Sequence, residues 1–324
     1  MKHCFIINPA SGKATTKEGL ENRIRQACEA AGAECFVLTT ERKGDAPVYI
    51  KDFYDEHGSD DIRFYACGGD GTLNEVVNGA VGFPQASVGC YPCGSGNDFV
   101  KYYGGVKNFL DLDAQINATE EEIDLMRVGN KYAINATHFG FDSSVAKTMM
   151  NVRRKKIIGG KNAYTTGVVV GLLRAMVNPC KVSVDGELLN PKGKILLCTI
   201  ANGQYVGGSF RCAPRSVDND GLLEVCLVHP VSHFTFMKLI KFYTNGEHLG
   251  NPKFDKHLEY RRGKRIEIEA PEGFLYSFDG ELIRQNRFTV EVVPRAIRFA
   301  VPKGAKPIVD PAHLPKEEKE IATV

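Results

Sequence analysis

Carboxylates, hydroxyls and glycines gather in a few short stretches of this chain. The densest is Cys67-Gly68-Gly69-Asp70-Gly71-Thr72-Leu73-Asn74-Glu75-Val76-Val77-Asn78-Gly79. Glycines around one aspartate let the backbone turn sharply and approach a ligand closely, and the amides that open a following helix offer donors to an anion. That is phosphate chemistry. Asp70 would repel a bare phosphate, so its carboxylate points to a bridging cation or to a charge aimed at a metal or a proton. Asn74 and Glu75 add polar groups on a first helical turn that an apolar helix would not need. A second glycine turn, Pro92-Cys93-Gly94-Ser95-Gly96-Asn97-Asp98-Phe99, again opens a helix. Its Asp98 reads either as a helix-capping carboxylate or as the second carboxylate of a magnesium network.

Three further stretches carry weaker signals. Asn8-Pro9-Ala10-Ser11-Gly12-Lys13 is a small-residue turn after an apolar run. Val217-Asp218-Asn219-Asp220-Gly221-Leu222-Leu223 is an Asx-type turn, or an alternation of backbone oxygens and a carboxylate suited to a hard cation. Tyr276-Ser277-Phe278-Asp279-Gly280-Glu281 puts two carboxylates on a turn and fits a hairpin tip equally well. The basic run Arg153-Arg154-Lys155-Lys156 is either a solvated face or a contact for anionic headgroups, where each basic residue contributes about 1 kcal/mol.

These stretches must be held by regular elements. Cys4-Phe5-Ile6-Ile7, Glu34–Thr39, Ile62–Ala66 and Ser87–Cys90 read as buried strands. Helical patterns lie between them at Lys17–Ala31 and from Asp45, as a cap, to His57. Strand–helix alternation predicts an open, mainly parallel sheet with ligands beyond the carboxyl ends of its strands, where the glycine turns fall. From Glu122 onward the segments Ile123–Val128, Lys131–Phe139, Pro179–Val184, Lys194–Ala201, Leu222–Val228, Arg265–Ala270 and Phe288–Val293 read as short strands joined by turns. Val128-Gly129-Asn130-Lys131 and Val184-Asp185-Gly186-Glu187 have hairpin chemistry. The expected fold class is α/β plus β: residues 1–122 form the parallel-sheet domain and 123–302 a mainly antiparallel, sandwich-like domain. The last strands of the second domain could return to the first, and 303–324 form a peripheral tail.

Composition bounds the rest. With 324 residues, 43% hydrophobic and 25% charged, the chain is of ordinary soluble type and long enough for two cores. A formal net charge of +2 does not point to nucleic acid. The ten cysteines are scattered through apolar runs and read as reduced core residues. Cys90 and Cys93 form a lone C-x-x-C without the second ligand pair a zinc site needs. Met1-Lys2-His3-Cys4 leads straight into a strand without a signal peptide, and the uncharged run Ala163 to Leu173 is about half a membrane span. A cytoplasmic protein without a transmembrane segment is expected. An edge strand of the second domain could pair two copies as a homodimer.

The string from Gly68 to Gly79 resembles the signature of the diacylglycerol-kinase catalytic domain, shared with sphingosine and ceramide kinases. The resemblance runs from Asn8 to Glu281 and fits the soluble bacterial branch, whose members phosphorylate lipid hydroxyls. It implies ATP and Mg²⁺, with Asn8, Pro9, Ala10, Ser11, Gly12, Thr40, Gly68, Gly69, Asp70, Gly71, Thr72, Leu73, Asn74, Glu75 and Ser95 around the nucleotide. Ser95 stands where the family has threonine in a Gly-Thr-x-Asn-Asp segment, and the hydroxyl is kept. The family's Asp-Gly-Glu falls on Asp279-Gly280-Glu281, which makes Glu281 the proton acceptor, while Asp70, Asp98 and Asp142 would orient the ion. A structural magnesium would map onto the carbonyls of Val217 and Leu222 and the carboxylate of Asp220. The lipid acceptor, diacylglycerol first, implies peripheral membrane contact, for which Arg153, Arg154, Lys155 and Lys156 are the expected face. NAD kinases share the shorter Gly-Gly-Asp-Gly, but the Leu73–Gly79 continuation and the late Asp-Gly-Glu separate this chain from them. A catalytically silent lipid- or nucleotide-binding regulator would have lost carboxylates that are present here.

Overall fold

The computed structural model describes residues 1–12, 17–141 and 176–309. Four strands, β1 (Lys2–Ile7), β2 (Glu34–Thr39), β3 (Ile62–Gly68) and β4 (Ala86–Pro92), lie parallel in the order β2-β1-β3-β4. β3 and β4 are buried at every residue, Arg63 and Ser87 included, which is why they read as mainly apolar runs rather than alternating ones. Helices α1 (Lys17–Ala30), α2 (Asp45–His57) and α3 (Asp70–Ala80) connect them. Ile50 and Phe53 of α2 and Leu73, Val76 and Val77 of α3 pack with Phe64 and Val88, while Leu20 and Ile24 of α1 pack with Phe5 and Tyr65 on the other face. Asp45 does not cap α2. Gly44 holds the N-cap position at φ +89°, and the Asp45 carboxylate instead accepts the amides of Glu41 and Arg42 at 2.9 Å, closing the preceding turn.

A short helix, α4 (Leu112–Ile116), leads into the second half. There β5 (Thr119–Val128), β6 (Lys131–Ala133) and β7 (Ala136–Gly140) come first. β8 (Asn178–Pro179), β9 (Lys181–Val184), β10 (Glu187–Leu188), β11 (Lys194–Ile195), β12 (Leu197–Ala201) and β13 (Leu223–Val228) follow. Helix α5 (His233–Asn245) then precedes β14 (Leu258–Gly263), β15 (Arg265–Glu269), β16 (Leu275–Phe278), β17 (Glu281–Arg284) and β18 (Arg287–Val301). An antiparallel sheet ordered β14-β13-β12-β7-β16-β17 faces β10-β9-β15-β18, and Phe139, Cys198 and Val225 interdigitate with Val182, Ile266 and Val290 between them.

β18 joins the halves. It pairs antiparallel with β15 and β5, and Arg298 and Phe299 pair parallel with Ser87 and Val88 of β4. An irregularity between Val293 and Ile297, with Arg295 at φ +48°, lets the strand bend from one half into the other. β5 runs unbroken through residue 122, so the sheet of the first half continues into the second. The described part of the tail packs back: the Ile308 amide donates to Tyr102 O at 2.7 Å and the Gln204 side chain to Ile308 O at 2.6 Å. All ten cysteines are free thiols, eight of them buried. Among the described residues no helix is long and apolar enough to cross a membrane. Asp142, Arg153, Arg154, Lys155, Lys156 and the Ala163 to Leu173 run lie outside the described residues.

The turn before β13 is held by two buried acids, of which Asp218 ties it to the first half. Asp124 accepts the amides of Gly221 (2.6 Å) and Arg295 (2.8 Å), and Asp218 accepts the Tyr103 hydroxyl at 2.5 Å. Burial pushes the Asp218 carboxyl up to about 7, against the pull of the tyrosine hydroxyls. Its folded form therefore holds a proton more tightly than the unfolded chain does. The contribution is most favourable below the unfolded value of 3.8 and is lost as pH rises toward 7. Asp218→Asn keeps an acceptor for Tyr103 and removes the ionisation. Its melting temperature relative to the parent should rise steadily between pH 4.5 and 7.5, by an amount on the order of a few kcal/mol in stability. Thermal melts at several pH values check this, and a pH-independent difference would refute it.

Candidate active site

The two glycine turns meet beyond the carboxyl ends of β3 and β4. Asp70, at the first turn of α3, accepts the amides of Asn97 (2.8 Å) and Asp98 (2.6 Å), so one carboxylate ties the second loop to the first. The contact is close enough to require glycine at two positions of the second loop. A Cβ on Gly94 would lie 2.5 Å from Gly69 Cα, and one on Gly96 would lie 2.5 Å from Asp70 Oδ2. Burial, with Asp98 as a like charge nearby, raises the Asp70 carboxyl above its ordinary value. Asp98 is itself buried, and it accepts Lys101 Nζ at 2.5 Å and the Gly208 amide at 3.0 Å. Lys101 also donates to Gly208 O at 2.7 Å, which fastens the 207–208 loop to the same acid.

The turn after β1 sits beside these loops. Asn8 donates through Nδ2 to Thr72 Oγ1 at 2.9 Å, and its Oδ1 accepts the Ala10 amide at 2.9 Å. Pro9, Ala10 and Gly12 are exposed, Ser11 is half-buried, and Ser95 is exposed on the second loop. Thr40 is placed differently. It is buried, and both its amide (3.0 Å) and its hydroxyl (3.4 Å) donate to Ile7 O, so it holds the chain rather than facing outward. Gly68 is fixed by sterics, since a Cβ there would lie 2.2 Å from Thr72 Oγ1. Leu73 is buried and Gly71 exposed. Glu75 accepts the Gly44 amide at 3.1 Å.

The Asp-Gly-Glu turn joins β16 to β17 and reaches across to α3. Asp279, at φ +44°, accepts the amides of Ile134 (2.7 Å), Asn135 (3.1 Å) and Ala136 (2.9 Å) and Nδ2 of Asn74 (3.0 Å). Burial pushes its carboxyl up to about 6, and these four donors oppose the shift. Asn74 and Asn78 also donate to Tyr132 O, at 3.0 and 2.8 Å, and so lock α3 to β6. Glu281 is less buried. It forms ion pairs with Lys43 and, at 3.6 Å, Lys131, and these two cations, Lys43 foremost, hold its carboxyl below the usual range. Sequence reasoning did not single out Lys43, Lys131 or Lys101. Lys101 could have been found as the i+3 partner of Asp98, but the other two meet Glu281 only through the tertiary fold.

Between the halves lies a cavity of about 520 Å³. Asp70, Ser95, Asp98 and Asp279 line it, together with a much larger apolar wall that includes Phe141, Leu197, Phe210, Phe236, Ile240 and Tyr243. His138 also lines it, and burial lowers its imidazole to about 4, so it is neutral there. Asp70 and Asp98 supply hard oxygens beside a phosphate-type loop. Asp98 shares its carboxylate with Lys101, and with Asp70 beside it the donor set still fits a magnesium ion, which binds through one or two carboxylates with the remaining sites filled by phosphates and water. Asp220 is arranged otherwise: its Oδ1 accepts the Leu222 amide at 3.0 Å, and it forms an ion pair with Arg262, whose Nε lies 2.8 Å from buried Glu224. A cation at Val217, Asp220 and Leu222 would share that carboxylate with a guanidinium.

Known proteins place this geometry. Residues 2–128 match the family described as "Diacylglycerol kinase catalytic domain", and residues 135–301 match "YegS C-terminal NAD kinase beta sandwich-like domain". A Shewanella frigidimarina protein named "Probable lipid kinase YegS-like" is 31% identical over 250 residues, 75% of this chain and 77% of that protein. A Bacillus subtilis protein named "Diacylglycerol kinase" is 29% identical over 291 residues, 87% of this chain and 90% of that one. A crystal structure of a diacylglycerol kinase from Bacillus anthracis superimposes with a TM-score of 0.68 at 20% identity, covering 94% of this chain and 98% of that one, a likeness of fold. With a parallel-sheet half, a β-sandwich half and these matches along both, the chain belongs to the diacylglycerol-kinase catalytic domain family, in its YegS-like lipid kinase group.

Proposed function

We propose that this protein is an ATP-dependent lipid kinase that transfers the γ-phosphoryl group to the free hydroxyl of diacylglycerol, giving phosphatidic acid and ADP. The observation that carries this reading is the cavity: carboxylates and a glycine-loop hydroxyl line it beside a predominantly apolar wall, as an acceptor with one hydroxyl on a long apolar body requires. The Asn8–Gly12 turn and the loop from Gly69 to Glu75 take the nucleotide phosphates. Asp70 and Asp98 would hold a magnesium ion that arrives with the nucleotide, and that ion would supply positive charge to the transferring group.

The residues of the chain do the positioning. Asp70 sets the two loops against each other, and Asp279 fixes the turn that carries Glu281. Glu281 accepts the proton of the lipid hydroxyl as its oxygen bonds to the γ-phosphorus and the bond to the β-phosphate breaks. Lys43 and Lys131 keep Glu281 ionised near neutral pH, the form able to accept that proton.

Labelled ATP with magnesium, offered to diacylglycerol and other lipid alcohols in mixed micelles and to NAD in parallel, tests the reaction. Label in diacylglycerol is expected, and Glu281→Gln should lower kcat by a factor on the order of 10² or more with nucleotide affinity unchanged. Label in NAD instead, or near-normal turnover of Glu281→Gln, would refute the assignment. Asp279→Asn should behave differently, because its amide nitrogen would face backbone donors. Urea unfolding should show a loss of about 2–5 kcal/mol. Gly94→Ala forces the two loops apart and should weaken nucleotide binding by about tenfold, read by equilibrium titration, with the lipid-facing wall untouched.

A further inference from the structure

Helix α5 has two apolar faces. Its inner one carries Phe236, Ile240 and Tyr243, at positions i, i+4 and i+7, and forms a wall of the cavity. Its outer one carries Phe234, 69% exposed, and Met237, 60% exposed, the two most exposed large hydrophobic side chains among the described residues, one helical turn apart. Other exposed apolar residues, such as Val48, Leu110 and Leu188, are far apart in the chain, on different elements. Phe234 and Met237 share the outer face with exposed Lys238 and Lys241, and the helix has no acidic residue along its length. Lys238 Nζ lies 4.1 Å from the Phe234 ring centroid, so the cation stands at the edge of the apolar patch. The helix is firmly built: the Ser232 hydroxyl accepts the Thr235 amide at 3.1 Å, and Gly246, at φ +78°, ends it.

We propose that α5 is the membrane-docking element of this protein, with Phe234 and Met237 entering the acyl region of an anionic bilayer and Lys238 and Lys241 meeting its headgroups. An apolar stripe flanked by lysines and free of acids is the signature of a helix that lies in the interfacial plane. Charge complementarity selects an anionic surface. The placement also serves the reading above, on which it rests. A helix with its side chains is about 10 Å across, so docking by the outer face brings the bilayer within one helix diameter of the cavity its inner face lines. The lipid is then extracted along the element that receives it.

Cosedimentation of the full chain with vesicles of phosphatidylcholine alone, or with added phosphatidylglycerol, tests this. The parent should bind the anionic vesicles. Phe234→Ser with Met237→Ser, and separately Lys238→Glu with Lys241→Glu, should each reduce that binding by a factor on the order of 10. The lysine pair should lose its effect in high salt. Phosphoryl transfer to a short-chain diacylglycerol dispersed as monomers should be unchanged in both variants, while transfer to bilayer diacylglycerol falls. Undiminished vesicle binding by the variants, or no binding by the parent, would overturn the assignment, and so would equal loss on monomeric and bilayer acceptor. If the parent binds anionic vesicles through these residues yet phosphorylates no lipid, the docking stands and the kinase reading falls.

Discussion

One buried carboxylate gathers donors from both halves of the cleft. Asp279 sits on a hairpin of the β-sandwich, in a backbone conformation that favours glycine, and accepts donors from the β6–β7 connection and from Asn74 on the first-half helix α3. Burying a charge is tolerable when every lone pair is matched, and three main-chain amides with one side-chain amide approach that limit. The proposed base is only two residues further on, against Lys43 and Lys131 and just beyond the residues that line the cavity, so its position is inherited from this cluster. Glu281 itself needs no deep pocket.

The cleft grades from charge to hydrocarbon. Asp70 and Asp98 are packed so closely with the second glycine loop that burial and mutual repulsion raise the Asp70 carboxyl. Lys101 and Lys43 then place positive charge on either side, each against one acid. Away from these groups the cavity is walled by aromatic and aliphatic side chains from β7, β12 and α5. A phosphoryl donor and an apolar acceptor can thus be held in one continuous space without either being forced into the other's environment.

Local signals made much of this legible. β3 and β4 are mainly apolar runs that lead into glycine turns, and each glycine turn falls where a parallel sheet binds ligands. Turn chemistry also located the hairpins at Gly129 and at Asp185-Gly186, which adopt positive φ. Helix α5 was not legible as such, because its apolar residues lie on two faces and give no single stripe. Asp45 was misread for a related reason. Its side chain bonds backward to the main chain, a choice that sequence type permits but does not specify. The cations around Glu281 come from segments more than a hundred residues away, and no local pattern foretells such a meeting.

The strand β18 is the last among the described residues and yet lies between β4 and β15 in the larger sheet. During synthesis the parallel half therefore emerges with the hydrogen-bonding edge of β4 open, and it stays open until some two hundred further residues have been added. Its closure depends on contacts of very long sequence separation, which form slowly. The parallel half is consequently not a closed unit to which the β-sandwich half was simply appended. Completion of either half waits for the same strand, and a chain stopped before it would present two unfinished sheets rather than one working domain.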